Sequence, residues 1–208
     1  MMYAEEVRSN FLNSVNLMGE VLYPAKFSHS FRGESFYSMT LSVARLSGIA
    51  DLLPLTVPAS LCPQGIEEGQ SILVTGQLRS YRHFDGERNR LCLSVFCKCL
   101  QPVFGEPESS NTVSIAGCLL KPPIIRRTPL GRDICDLLVS VPRGFGKSDV
   151  IPVIAWGVYA GASAEFFAGQ ELMIKGRFQS REYQKKLDSG EVEQRTAYEL
   201  SAMEISPA

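Results

Sequence analysis

The chain has 208 residues, 45% hydrophobic and 21% charged, with a formal net charge of −1. That is enough apolar residues for one large or two small cored domains, and it excludes a disordered chain. The balanced charge excludes any argument from bulk basicity, because a local basic stripe can hide inside a neutral total.

The first residues, "MMYAEEVRSN", hold acids and no apolar stretch, so a secretory leader is not expected. No apolar run reaches the roughly eighteen residues that a membrane span needs. Residues 13–21, "NSVNLMGEV", read as a strand with a glycine near its end. "LSVAR" at 41–45 is a second strand segment. Residues 58–70, "PASLCPQGIEEGQ", are too proline-broken for more than a turn. "VTGQLRSYR" at 74–82 follows the pair Gly69-Gln70 and alternates as a strand, with Arg79, Tyr81 and His83 expected to face outward. Residues 101–111, "QPVFGEPESSN", are rich in Pro, Gly, Glu and Ser and read as a seam.

Beyond the seam, "TVSIAGCLL" alternates, and its mid-strand glycine suits a bend. "KPPIIRRTPLGRD" at 121–133 reads as a Pro/Gly loop holding Lys121, Arg126, Arg127 and Arg132. "DICDLLVSV" puts Cys135, Leu137, Val139 and Val141 on one face. "RGFGKSD" at 143–149 is a glycine-flanked loop with Phe145 at its tip between Arg143 and Lys147. "VIPVIAW" is an apolar strand closed by Trp156, the single tryptophan. "GVYAGASAEFFAGQ" predicts a short helix stopped at Gly169. "ELMIKGRFQSREY" and "TAYELSAMEI" are the last two strands.

The two halves repeat. Asn13, Gly33, Arg45, Asp51 and Pro54 recur as Asn111, Gly131, Arg143, Asp149 and Pro152 at an offset of 98. The offset becomes 100 at Gly69/Gly169 and 107 for Leu93-Ser94 against Leu200-Ser201. A drift this small, with anchors in one order, indicates duplication of a unit near 100 residues. The second unit runs strand, strand, strand, helix, strand, strand. The predicted fold is therefore all-β: two tandem OB-folds, five-stranded Greek-key barrels, with a short helix between strands 3 and 4 of the second. Residues 1–103 form a diverged first domain and 111–208 the second, joined by a linker at about 104–110.

On residues 171–184 the even positions Leu172, Ile174, Gly176 and Phe178 face the interior. The odd positions Met173, Lys175, Arg177, Gln179, Arg181 and Tyr183 face outward. Cations that neutralise phosphates beside a ring that stacks on bases are what an unpaired nucleic-acid strand requires. A solvated sheet face is the plainer alternative for the same row, as core burial is for Trp156.

Other chemistry is excluded. "GFGKS" lacks the upstream glycine of a phosphate-binding loop, since Val141 stands there. No Ser/His/Asp set, paired acids or HExxH motif occurs, so an enzyme is not predicted. Cys62, Cys92, Cys97, Cys99, Cys118 and Cys135 read as reduced and mostly buried. With His29 and His83 as the only histidines, neither metal nor cofactor is expected.

The second half resembles the bacterial single-stranded DNA-binding protein family. Asn111, Val113 and Gly117 match its opening strand, and Thr128, Pro129 and Gly131 its first loop. "IPVIAWG" (151–157), "KGRFQSREY" (175–183) and "TAYELSAMEI" (196–205) follow in order. The resemblance implies sequence-tolerant binding of single-stranded DNA in replication, recombination and repair. It places Trp156 and Tyr183 at stacking positions, with Arg177 and Arg181 on the basic face. It also implies a cytoplasmic bacterial protein and a homodimer giving four barrels. The first half keeps Asn13, Val15, Gly19 and Gly33 but has Pro58 where Trp156 stands, so poor strand binding or packing against its twin is expected of it. The sequence stops at "MEISPA", so recruitment of partners by an acidic tail is not expected; an accessory or mobile-element version and the tail-less primosomal relatives both fit. The rival function is a protein-interaction scaffold of a primosome or replication complex.

Overall fold

The computed structural model describes residues 12–61, 66–84, 86, 89–105, 108–128, 130–186 and 190–208. Residues 1–11, Cys62 and Pro129 lie outside them. The first half holds β1 (Asn13–Phe31), β2 (Glu34–Ala44), β3 (Ala50–Pro58), a 3-10 turn (Ala59–Leu61), β4 (Ser71–Phe84) and β5 (Asn89–Pro102). The second holds β6 (Ser110–Leu119), β7 (Ile124–Arg127), β8 (Asp133–Arg143), β9 (Lys147–Trp156), α1 (Val158–Ser163), β10 (Glu171–Lys186) and β11 (Val192–Pro207).

Each half closes on itself. The first runs β2-β3-β5-β4-β1 and back to β2, and the second β8-β9-β11-β10-β6 and back to β8. Within each barrel one pair, β3–β5 or β9–β11, is parallel. This is the OB topology, and the chain is two OB-fold barrels in tandem. Alternation produces it. Leu17, Leu41, Leu53, Ile72 and Val95 are buried in the first interior, and Ile115, Val139, Ile151, Phe178 and Leu200 in the second.

The repeated phrases have structural jobs. In each barrel the Gly-Gln pair closes a gap between strands. Gly69 and Gly169 donate their amides to Val21 O and Leu119 O, both at 2.8 Å. Asn13 extends the ladder with its side chain, donating from Nδ2 to Leu78 O and accepting from Leu78 N, both at 2.8 Å. Asn111 does the same with Phe178 at 2.7 and 2.9 Å.

The barrels are joined edge to edge. β1 pairs antiparallel with β6, from Asn13↔Ile115 to Met18↔Ser110, so all eleven strands form one sheet. Two buried carboxylates pin the junction. Asp51 accepts from Ser180 N, and Asp149 from Ser80 N, each at 2.8 Å.

The structure departs from the expectations in four places. Residues 121–133 are not all loop, because β7 pairs with β8 from Ile124↔Asp136 to Arg127↔Asp133. Pro122 and Pro123 interrupt the ladder ahead of it. In the first barrel the matching stretch is the far half of β1, which continues through register shifts to a hairpin with β2. The helix ends at Ser163, before Gly169. The last hairpin is aligned differently: Leu55↔Val95 matches Val153↔Leu200, an offset of 105 rather than 107 between β5 and β11. Pairing across the barrel fixes the register, whereas the short Leu-Ser match in the sequence does not. Finally, of the described cysteines, Cys97 and Cys135 are buried and Cys92, Cys99 and Cys118 half-buried, all of them free.

Candidate nucleic-acid interface

β10 presents its predicted faces. Leu172, Ile174, Gly176 and Phe178 are buried, while Met173, Lys175, Arg181 and Tyr183 are exposed and Arg177 and Gln179 half-buried. The lateral ladder Arg177↔Ser201 and Ser201↔Ile154 joins this row to the outer side of β11 and β9. Trp156 lies two residues beyond Ile154 on that side and is half-buried. Its neighbour across the β8–β9 ladder is Ile134, 2% exposed. Arg126 pairs in turn with Ile134, so Arg126, Ile134 and Trp156 form one row over β7, β8 and β9.

Trp156 and Tyr183 are not neighbours. From the Arg177–Ile154 level the chain runs two residues one way to Trp156 and six the other to Tyr183. At about 3.3 Å per residue they stand on the order of 25 Å apart along the wall. They are separate stops on a track, and no single base can touch both. Arg177, Gln179 and Glu199 lie between them.

At the Tyr183 end, Arg181 Cζ sits 5.8 Å from the ring centroid. Arg195 stands opposite Tyr183 in the β10–β11 ladder. Its guanidinium is raised above its ordinary value first by Glu193 and also by Tyr183. Midway, Glu199 is 9% exposed. Burial raises its carboxyl above the ordinary range, Asp136 adds to this, and Arg181, Arg126 and Arg45 oppose it. Arg45 belongs to the first barrel, so that barrel borders this wall without sealing the indole.

The remaining predicted cations divide by partner. Arg126 is paired bidentately with Asp136. Arg127 pairs with Asp133 at 3.2 Å, and Lys175 with Glu204 at 3.5 Å. Arg143 reaches buried Asp149 at 3.3 Å. Arg132 and Lys147 are exposed, with no ion pair among the described residues. Phe145 is fully exposed with φ 64, left-handed backbone that an aromatic residue seldom adopts. The strand that follows this loop, β9, touches the first barrel: Asp149 accepts from Ser80 N, and Val150 N donates to Ser80 Oγ.

In the first barrel Tyr81 is 54% exposed, as its strand face predicts. Arg79 is not free in solvent. It is half-buried, its Cζ 3.6 Å over the Phe96 ring, with Arg143 and Asp149 of the second barrel close enough to act on its charge. Sequence reasoning missed Arg45, Glu199, Arg195 and Ile134. Strand parity on β8 and β11 marks the last three, and Arg45 was visible only as half of a repeated pair.

Residues 110–207, which make β6 to β11, match the model of the Single-strand binding protein family. The C-terminal barrel is similar to the single-strand binding protein family. Its members are binding proteins, not enzymes. Among similar proteins, "Single-stranded DNA-binding protein" of Clostridium tetani is 35% identical over 83 residues, 36% of this chain and 57% of that one. "Single-stranded DNA-binding protein 3" of Clostridium acetobutylicum is 34% identical over 83 residues, 36% of this chain and 58% of its own length. The matched region thus spans under two thirds of those relatives. The solved wild-type single-stranded DNA binding protein from Thermus aquaticus covers 95% of this chain and 93% of its own, with TM-score 0.76 and 21% identity. The fold is shared over 95% of this chain.

Two further statements hold for the described residues. No group of three or more His, Cys, Asp and Glu side chains is placed to hold a metal ion, and no helix is long and apolar enough to cross a membrane.

Proposed function

We propose that this chain binds single-stranded DNA without sequence preference, and that the family barrel does so along its outer wall. Bases stack on Trp156 at one end and on Tyr183 at the other, and phosphates run past Arg177 and Arg181 between them. The observation that carries this reading is the half-exposed indole on the same outer wall as the Arg177–Arg181–Tyr183 row, in the barrel that matches the family. Stacking tolerates any base because each has a flat face, and cations track the backbone without reading sequence. The same reading assigns the chain to replication, recombination and repair, where unpaired strands arise. Two chains pair to give four barrels, a state that sedimentation equilibrium measures directly.

The test uses the intrinsic tryptophan. Titration with poly-thymidine should quench Trp156 strongly and release it as salt rises, since each neutralised phosphate frees a counterion. An unchanged emission together with no mobility shift would overturn the reading and favour a protein scaffold.

A further inference from the structure

The strand pair that carries Arg181 and Tyr183 leaves its own barrel. β6 pairs with β10 from Glu171 to Gly176, and β9 with β11 from Leu200 to Ala202. Beyond those ladders, among the described residues, β10 and β11 pair with each other alone, out to Lys186↔Val192. From Arg181 to Gln184 every residue of β10 is exposed, so neither face of this arm rests on a core. A two-stranded ribbon without a packed face is marginally stable and twists readily. Its own barrel therefore does not fix where Tyr183 stands relative to Trp156.

The first barrel grips the arm at its root. Ser180 lies between Gln179 and Arg181, and three of its atoms bond across the junction. Its amide donates to Asp51 at 2.8 Å, its carbonyl accepts from Arg45 Nη2 at 2.9 Å, and its hydroxyl accepts from Leu52 N at 3.0 Å. The amide and carbonyl are the groups that an outer neighbouring strand would bond, and two side chains of the first barrel stand in for it. Asp51 is completely buried, and Arg45 also holds it through Nε at 2.8 Å. Fixing both backbone groups of one residue sets the direction in which the chain leaves for Arg181. Further out, Arg90 of β5 comes within 4.0 Å of Glu193 on β11, but both side chains are 40% exposed, and such a pair is worth little in water. The grip is at Ser180.

We infer that Asp51 and Arg45 are positioning residues: acting through Ser180, they aim the arm so that Arg181 and Tyr183 lie in line with Trp156. This rests on the single-stranded DNA reading above. Neither residue needs to touch the strand. An arm already aimed loses less freedom when the strand arrives, and that saving appears as affinity. Trp156 lies outside the brace, held on β9 by its ladder to β8. The first barrel thus has a task on the wall of the second, and its buried carboxylate is the means.

The test is a set of double-mutant cycles in the full chain. A fluorescein-labelled thymidine oligomer is titrated by anisotropy, well below the melting temperature of the least stable variant. Asp51→Asn should weaken binding by about fivefold or more. Combined with Arg181→Gln and Tyr183→Ala, which remove what the brace aims, it should weaken binding by less than about twofold further. Combined with Trp156→Ala, the two losses should multiply in full. Arg45→Gln keeps the bond from Ser180 N to Asp51 and should show the same pattern with a smaller loss, which covers the case in which Asp51→Asn does not fold. A junction that is merely structural would lower the melting temperature and weaken every background alike. Unchanged affinity in both variants, or losses that multiply in full with the arm substitutions, would overturn the inference while leaving the wall of the second barrel standing. If the unmodified protein does not bind the oligomer, the single-stranded DNA reading falls and this inference with it.

Discussion

Asp51 of the first barrel and Ser180 of the second are 129 positions apart in sequence, yet the carboxylate accepts from the Ser180 amide at 2.8 Å. Ser180 Oγ in turn accepts from Leu52 N at 3.0 Å. Arg45 completes the knot, donating from Nε to Asp51 at 2.8 Å and from Nη2 to Ser180 O at 2.9 Å. Asp149, Ser80 and Arg143 repeat the design with the barrels exchanged, but less fully: Asp149 Oδ2 has no hydrogen-bond partner. Both carboxylates are completely buried. Removing one leaves a partly buried guanidinium and a serine amide without their acceptor at the junction. Asp51→Ala should therefore destabilise the chain by about 3 kcal/mol, and Asp149→Ala by less. Urea denaturation checks the order, and equal losses would contradict it.

The strand-4 glycine is a matter of space. A Cβ on Gly176 would lie 2.2 Å from Ser201 O, and one on Gly76 2.3 Å from Phe96 O. Both glycines sit where the following hairpin shifts register, so the facing backbone comes unusually close. Gly176→Ala should lower stability by about 3 kcal/mol, at the upper end of overpacking, because a carbonyl oxygen cannot swing aside. Gly144→Ala is the control, since nothing lies within 4 Å of a Cβ there. Thermal melting of the two variants should separate them clearly.

Charge on the wall should be unequal in effect. Arg181 is exposed beside the Tyr183 ring, whereas Arg126 is held by Asp136. Arg181→Gln should reduce the slope of log affinity against log salt by about 0.7, the value for one phosphate of a single strand. Arg126→Gln should change it less, and Asp136→Asn should tighten binding by freeing Arg126. Anisotropy titrations of a labelled oligomer over a salt series give all three slopes.

The barrels were legible because each relies on signals that repeat within about ten residues. Leu172, Ile174 and Phe178 alternate with Lys175 and Arg177, and the Gly-Gln and Asn-x-Val phrases mark ladder closures. Asp51/Asp149 and Arg45/Arg143 were visible as repeat anchors, but their role was not. A carboxylate that bonds a serine in the other copy leaves no local pattern. The spacing of Trp156 from Tyr183 was equally hidden, since it follows from ladder register over three strands. Arg79 shows the limit most directly. Parity put it outward, correctly with respect to its own barrel, but outward there means against the neighbouring copy.

Glu199 ties the wall to pH. Its carboxyl is raised chiefly by burial between the Trp156 and Tyr183 ends, so the folded protein holds that proton more tightly than the unfolded chain does. The stability Glu199 contributes is therefore fully present below the unfolded value of about 4.3 and is lost as pH rises through the raised folded value. Glu199→Gln should remove that component, flattening the fall in melting temperature above about pH 4 and raising stability at neutral pH. Phosphates laid along Arg177 and Arg181 would oppose the carboxylate further, so binding should take up a proton. Calorimetry in two buffers of different ionisation enthalpy should give different apparent heats for the unmodified protein, with the difference reduced for Glu199→Gln. The same difference in both proteins would place the strand elsewhere than over Glu199.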